Sequence, residues 1–337
     1  MMALQIVSGE EFSANIESWR RSAEFSLIDE HPIYGAFGRS YYPAVYGERR
    51  SDASFAVISG GQPLAIVPCT FGETELDYFG SAIRIFMRSG LEGSEAQRAL
   101  VAVFSHIDSI MSAHGIRRVT VRDDDRLGTL SSIGKLALNR RASAEMRLSG
   151  FCALDEGEAA MRRGLRKSFQ SLVNWGQRNL KITSVGGGNP DRALFTRYRE
   201  FHSVVAARVT RSEQSWDAMF DSIAAGHGEL VLGFLASGEL VAGNLVVDGT
   251  TTSFYASGVY DRERFDQPLG HWPLWLAMLH SAEREKRVFD LGDLPLAGTA
   301  TEKEFSIGYF KRGFATTIGT WIAWKWPVSS EAEGGGG

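Results

Sequence analysis

The residues best suited to chemistry lie in the last quarter of the sequence. Asp290 stands in Phe289-Asp-Leu-Gly292, a short apolar strand pattern that ends in an acid and a glycine. Lys311 and Arg312 follow after a loop rich in glycine and threonine, and aromatic residues flank them. A cation between aromatic walls is suited to stabilising the oxyanion that forms when an amine attacks a thioester or ester. We therefore expect Lys311 and Asp290 to be catalytic, with Asp290 at the carboxyl end of a strand, where open α/β sheets bind ligands.

Both groups also have structural interpretations that the sequence leaves open. Lys311 and Arg312 suit an amphipathic element whose basic side chains extend past an aromatic core face. Asp290 is equally suited to capping the loop that follows it.

A site for an anionic donor is predicted just upstream. Gln267-Pro-Leu-Gly-His271 ends a strand and opens a helix that the apolar spacing predicts from about Gly270 to Lys286. Free backbone N–H groups and the helix dipole favour negative charge at such a helix start. Gly270 and His271 are therefore predicted to bind the donor, although a histidine in a first helical turn is more often a surface residue.

A basic cluster provides further candidates for donor binding. Arg162, Arg163, Arg166 and Lys167 fall on the polar side of a helix predicted from Glu158 to Lys181. An arginine binds phosphate oxygens through its planar fork, so Arg166 and Lys167 are predicted to contact the phosphates of a coenzyme A or of a tRNA end. A solvated helix face is the equal alternative.

A predicted loop carries candidates for binding the acceptor. Arg208 and Arg211 lie three residues apart in it, and Trp216 follows closely. Two arginines beside an aromatic side chain suit an anionic substrate, and binding residues concentrate on such loops. The alternative is that Ser212 or Ser215 starts the next helix and the arginines face water.

Composition excludes several other classes of protein. The net charge is −4, from 36 basic and 40 acidic residues, so nucleic-acid binding requires a local basic patch. The dinucleotide pattern GxGxxG and the P-loop pattern are absent, and Cys69 and Cys152 lack neighbours at zinc-ligand spacing. We expect no metal and no tightly bound cofactor. No apolar run approaches the roughly 18 residues of a spanning helix, and the N-terminus lacks signal-peptide features, so we expect a cytoplasmic protein.

The order of predicted elements suggests a duplicated unit. In the second half, strands at 229–235, 240–247 and 251–259 precede the helix at 270–286 and a strand at 287–291. In the first half, strands at 55–58 and 64–70 precede a helix at 95–114 and a strand at 116–121. The predicted fold class is α/β (α+β), with two lobes at 1–150 and 151–328 and a disordered tail at 329–337. Each lobe is expected to be a mixed, mainly antiparallel sheet flanked by helices.

Several segments together resemble the FemAB branch of the GNAT-like acyltransferases. The resemblance covers most of the chain and is strongest from Leu165 to Phe314. The matching segments are Leu165-Arg-Lys-Ser168, Ala207-Arg208 with Arg211-Ser212, Leu240-Val-Ala-Gly243, Phe254-Tyr-Ala-Ser-Gly258, Pro268-Leu-Gly270, Phe289-Asp-Leu-Gly292 and Phe310-Lys311 with Phe314. The resemblance implies tandem GNAT-like lobes and adds Tyr255 to the expected substrate-binding residues.

The resemblance also implies an activity. Members of this family transfer an acyl or aminoacyl group to an amine, often on a cell-envelope sugar or peptide precursor. The donor is aminoacyl-tRNA in the better-known members and acyl-CoA in relatives. This chain lacks an obvious coiled-coil arm and a glycine- and arginine-rich phosphate loop, so both donors stay open, with acyl-CoA favoured. The alternative is a non-catalytic binding protein for a nucleotide sugar or peptide. The sequence predicts no oligomeric state.

Overall fold

The structure is a computed structural model that describes residues 3–124, 129–296, 298 and 300–327. None of the described helices is both long and apolar enough to cross a bilayer. The predicted tail at 329–337 lies outside the described residues. The helices are α1 Gly9–Arg21, α2 Leu27–Glu30, α3 Ala36–Tyr46, α4 Gly93–His114, α5 Ser132–Leu138, α6 Glu158–Gly164, α7 Lys167–Asn179, α8 Arg192–Ala206, α9 Glu213–Ala224, α10 His271–Glu283 and α11 Glu302–Arg312.

The strands lie between these helices, partly in runs of consecutive strands. They are β1 Leu4–Ser8, β2 Ser51–Asp52, β3 Phe55–Ser59, β4 Gln62–Val67, β5 Thr70–Phe71, β6 Glu75–Asp77, β7 Phe86–Met87, β8 Arg118–Asp123, β9 Ser143–Ala153, β10 Lys181–Gly186, β11 Gly228–Phe234, β12 Leu240–Asp248, β13 Thr252–Tyr260, β14 Val288–Leu294 and β15 Thr317–Pro327.

The chain divides into two compact units, and neither unit is continuous in sequence. The first comprises Met1–Ile28, Tyr46–Arg147 and Thr320–Gly337, and the second comprises Asp29–Val45 and Leu148–Gly319. The domains predicted from the sequence are continuous halves, and their boundaries stay a prediction. The difference arises because an early segment, Asp29–Val45, packs with the second half of the chain.

The first unit has one hydrophobic core between sheet strands and the long helix α4. One sheet has the strand order β1-β3-β4-β7, and further strands run in the order β15-β8-β6-β5-β2. The buried face of α4 presents Val103, Phe104 and Ile107 to this core at helical spacing. Gly115, in the left-handed region at φ 64°, ends α4.

The second unit contains the strands that carry the predicted site. Their order is β10-β11-β12-β13-β14-β9, and all neighbours are antiparallel except β13 and β14, which are parallel. Parallel neighbours require a crossover, which α10 supplies. One face of this sheet packs on α7 and α10, and the other packs on α8 and α9.

Most predicted elements of both repeated modules occur within a few residues of their predicted bounds. The hairpin at Asp248-Gly249 forms as expected, and the amide of Gly249 donates to the carbonyl of Thr252. The prediction of a single helix from Glu158 to Lys181 is wrong. The helix is broken into α6 and α7, because the Arg166 amide donates to the Gly313 carbonyl at 2.9 Å instead of continuing the helix.

Candidate functional site

Strands β13 and β14 separate part-way along their length. They pair only where Thr252–Phe254 lies beside Val288–Asp290. Beyond that point β13 continues to Tyr260 while β14 pairs with β9 on its other side. Gly258 lies in the part of β13 that pairs with β12 but no longer with β14, and it is exposed. The two strands therefore diverge beyond Asp290, and this divergence is called the β13–β14 cleft below, with Asp290 at its apex.

Asp290 is buried at this apex, and both of its carboxylate oxygens accept hydrogen bonds. Oδ1 accepts from the Gly292 amide at 2.6 Å, across an irregularity in the β14 ladder. Oδ2 lies 3.0 Å from Nε2 of His31. The loop-capping alternative from the sequence is thus part of the geometry, because the Gly292 bond is such a contact.

Lys311 lies close to the same point from the last turn of α11. A capping box of Thr301 and Glu304 fixes the start of this helix. A Cβ on Gly292 would stand 3.1 Å from the Lys311 Nζ, so the glycine, at φ 80°, gives the ammonium room to approach the strand. No hydrogen bond or ion pair holds the Lys311 ammonium within the described part of the chain.

Burial sets the electrostatics of Lys311. Desolvation lowers the pKa of the half-buried amine, and the nearby carboxylates of Asp290 and Asp293 oppose that change. The carboxylates of Asp290 and Asp293 thus favour the charged form of Lys311 without an ion pair to it among the described residues. Such a group is available to a negative charge that develops in the cleft.

The start of α10 stands in an aromatic enclosure. The His271 ring lies 4.5 Å from Phe169, 5.2 Å from Phe310 and 6.0 Å from Phe314, measured between ring centroids. Burial in this enclosure, aided by the charge of Arg166, lowers the pKa of His271 to about 4. His271 is therefore neutral at pH 7 and adds no charge to the helix start.

Arg166 joins the same enclosure, whereas Lys167 does not. The guanidinium carbon of Arg166 lies 3.7 Å from the centroid of the Tyr309 ring and 4.8 Å from that of Phe169. Its Nη2 donates to the Tyr309 carbonyl at 3.0 Å. Lys167 is exposed at the first residue of α7. The structure thus brings Gly270, His271 and Arg166 together, and leaves Lys167 on the surface.

The predicted acceptor residues lie on the α8 side of the second unit. Arg211 donates from Nε to the Tyr41 hydroxyl at 3.1 Å, and its guanidinium lies 5.1 Å from the Trp216 ring centroid. Its Nη1 is 3.2 Å from Nε2 of His202, whose pKa burial and the Arg211 charge lower to about 4. Trp216 is buried in the core, and the Arg211 guanidinium packs on its ring.

Arg208 occupies a different environment from Arg211. Its side chain is exposed on the loop. Ser212 caps α9 by accepting from the Ser215 amide, as the structural alternative proposed. Roles for Arg208 and Arg211 in acceptor binding stay predictions.

Tyr255 belongs to a buried polar group beside α10. Its hydroxyl lies 2.6 Å from the Tyr260 hydroxyl and donates to Asn244 Oδ1 at 3.1 Å. The Tyr260 hydroxyl also lies 2.6 Å from this oxygen, while the Nδ2 atom of the fully buried Asn244 has no partner among the described residues. Gly258 and Gly270 leave room for the two rings, because a Cβ on either would overlap a tyrosine. Burial raises the pKa of both tyrosines.

Sequence reasoning missed Asn244, Tyr260 and His31. The glycines at 258 and 270 are the signal that could have indicated closely packed rings, since glycine permits close approach. His31 gave no such signal, because it lies 259 residues before its partner Asp290. His280, a histidine without a predicted role, bonds the buried carboxylate of Glu229 at 2.8 Å, and that bond raises its pKa.

Comparison with known proteins gives matches at the level of structure alone. No family model and no curated protein sequence matches the chain. The structure is similar to FemX, with a TM-score of 0.63 and 13% identity over 88% of this chain and 94% of that one. It is similar to a tandem GNAT protein from the clavulanic acid biosynthesis pathway, with a TM-score of 0.58 and 14% identity over 97% and 99%. L-PGS from Bacillus licheniformis matches with a TM-score of 0.53 and 12% identity over 83% and 85%.

These matches confirm the predicted fold. The chain is an α/β protein with a FemAB-like fold of two GNAT-like lobes. At such low identity the likeness extends to the fold and no further.

Proposed function

We propose that this protein is an N-acyltransferase that joins an acyl or aminoacyl group to the amine of a small acceptor. The observation that carries the proposal is the Lys311 ammonium, half-buried and free of direct partners in the described chain, at the apex of the cleft between β13 and β14. A half-buried cation without a protein counter-ion in contact has lost part of its hydration, and a negatively charged group of a ligand would compensate for that loss. The fold shared with FemX and with a tandem GNAT protein supports the same reaction class.

The proposed reaction uses the two groups at the apex in different ways. The acceptor nitrogen attacks the carbonyl carbon of the donor, a C–N bond forms, and the carbonyl oxygen becomes an oxyanion beside Lys311. Asp290 accepts a hydrogen bond from the attacking amine and takes its proton. The carbonyl double bond then re-forms, the bond to the leaving group breaks, and that group departs with the electron pair and takes the proton held by Asp290. Proximity and oxyanion stabilisation contribute most of the acceleration.

The donor in this proposal is acyl-CoA, with aminoacyl-tRNA as the second possibility. The α10 start offers few amides to phosphates, since His271 N–H donates to the Pro268 carbonyl and Pro273 has none. Arg166 is the cation nearest this helix start among the predicted donor residues. A short, weakly cationic site suits a coenzyme better than a long polyanion. Both donors are cytoplasmic, and we propose that location for the protein.

The proposed acceptor is a small anionic molecule, such as a sugar or peptide precursor of the cell envelope. Arg211, which contacts Trp216 and Tyr41, would bind the negative charge of the acceptor. Arg208 would contribute from the exposed loop, and Tyr255 would contribute near the cleft. No cofactor is proposed beyond the donor itself.

The test is turnover by the purified protein. Acetyl-CoA or aminoacyl-tRNA is incubated with amino sugars, UDP-sugars and peptides, and mass spectrometry detects an amide product. The expected result is product formation that Lys311→Ala reduces. Ligand binding by thermal shift without product, from any donor, would overturn the proposal and favour a non-catalytic binding protein.

A further inference from the structure

The second unit contains a polar contact that the proposed reaction does not yet use, between His31 and Asp290. His31 belongs to the early segment Asp29–Val45, which packs with the second half of the chain. We infer that His31 is a positioning residue for Asp290 and that this segment is a working part of the acyl-transfer site. The inference rests on the proposed function.

Hydrogen bonding fixes the tautomer of His31. Its Nδ1 lies 3.2 Å from the backbone nitrogen of Ile33, which can only donate, so Nδ1 is the acceptor and carries no proton. In the neutral ring the proton is then on Nε2, which donates to Asp290 Oδ2 at 3.0 Å. The side chains of His31 and Asp290 are 16% and 12% exposed, so water competes little for this bond.

The His31 bond is one of two hydrogen bonds that orient the Asp290 carboxylate. The other oxygen of Asp290 accepts from the Gly292 amide at 2.6 Å. With one donor on each oxygen, the carboxylate plane is held from two sides and each oxygen retains a lone pair. The carboxylate is therefore held in one orientation as a charged hydrogen-bond acceptor. A group that orients an attacking amine needs such a fixed orientation.

The segment that carries His31 is docked closely on the β12–β13 hairpin. The Thr250 amide donates to the Asp29 carbonyl at 2.8 Å. A Cβ at Gly249 would stand 2.2 Å from the Glu30 carbonyl oxygen, so the glycine is needed for this approach. The His31 ring also packs on Phe254, with 5.2 Å between centroids, and Phe254 pairs with Asp290 across the ladder. Backbone contacts of the segment therefore fix the position of the His31 ring, and the His31 ring orients the Asp290 carboxylate.

The activity test compares three variants once turnover has been measured. His31→Leu removes the donor, and we expect kcat to fall about tenfold or more with KM little changed, the scale of one hydrogen bond to a charged group. His31→Gln keeps an N–H near the Nε2 position, and we expect kcat within about threefold of wild type. His227→Leu is the control, since it makes the same change at an exposed histidine outside this segment. An unchanged kcat in folded His31→Leu would overturn the inference.

A second measurement does not depend on activity. Long-range ¹H–¹⁵N spectra of ¹⁵N-histidine-labelled protein report the tautomer of each ring, and His31→Gln identifies the His31 signals. We expect the Nε2–H tautomer, and an Nδ1–H tautomer would overturn the proposed bond. An inactive wild-type protein with the expected tautomer overturns the reaction, and with it the role of His31 in that reaction. Active wild type with normal His31→Leu turnover overturns the role of His31 alone.

Discussion

Asp290, Gly292 and Lys311 lie close together because the Gly292 amide bonds Asp290 and the absent Cβ of Gly292 leaves room for the Lys311 ammonium. Asp290 and Gly292 stand next to the break in the β13–β14 pairing, and the glycine φ of 80° is one that residues with a Cβ rarely adopt. The motif Phe289-Asp-Leu-Gly292 could be recognised from the sequence as strand, acid and glycine. The reason for the glycine could not, because the Lys311 ammonium approaches it from the far end of α11, a later element of the chain.

Replacing Gly292 by alanine tests this arrangement. The Cβ would be strained at φ 80° and would meet Nζ of Lys311 at 3.1 Å, so we expect lower stability and a kcat reduced by about tenfold. The matched control is Gly238→Ala, where φ is 85° and nothing lies within 4 Å of the added Cβ. Melting temperature and kcat are measured on both. Equal loss of stability with equally normal kcat would show that Gly292 serves the turn alone.

The elements around the site explain which predictions could be made. Strands β11 to β14 and α10 follow from alternating and helical apolar patterns, and an Asp-Gly pair marks one hairpin. The break between α6 and α7 could not be foreseen, because it depends on a bond from Arg166 to Gly313, far along the chain. The enclosure around His271 likewise gathers rings from α7, α10, α11 and the turn after α11, and no local pattern encodes that contact.

At the scale of an element, Gly270 determines how closely α10 approaches β13. Its φ of −85° suits any residue, but an added Cβ would lie 2.6 Å from the Tyr260 ring. We therefore expect Gly270→Ala to cost about 1–3 kcal/mol of unfolding free energy through overpacking. Gly188→Ala, with open space around the new Cβ, is the control. Urea unfolding measures both, and an equally stable Gly270→Ala protein would contradict the close packing described.

For the whole molecule, two histidines kept neutral by burial link stability to pH. The pKa of His271 and that of His202 are each lowered to about 4, below the roughly 6.5 of an exposed histidine. The unfolded chain binds more protons between these values, so these groups make stability fall as pH drops from about 6.5 towards 4.

His271→Phe should reduce that fall, because one of the two buried sites is then gone. Unfolding free energies at pH 7 and pH 5 give the measurement, and His227→Gln, at an exposed position, is the control. The same pH dependence in His271→Phe and wild type would show that His271 is accessible to protons in the folded protein.

The net charge of the molecule bears on the donor. The net charge is −4, and the basic cluster at 162–167 is partly committed, since Arg162 donates to Glu158 at 2.9 Å. That cluster therefore offers few cations to a polyanion. We expect acyl-CoA binding to weaken only modestly between 50 and 200 mM salt, whereas tRNA binding through several phosphates would fall by about 10³-fold or more. Titrations of both donors across that range decide the matter. Tight tRNA binding that collapses with salt would reverse the preference for acyl-CoA.

The Lys311→Ala variant tests the central claim most directly, with kcat and melting temperature measured on the same preparation. If the ammonium stabilises the oxyanion, kcat falls by roughly 10²-fold or more while KM and melting temperature stay near wild type. Lys311→Arg should recover part of the loss, since its cation differs in shape and hydration. Arg312→Ala, the exposed neighbour on α11, should keep normal turnover. A stable Lys311→Ala protein with wild-type kcat would contradict the account.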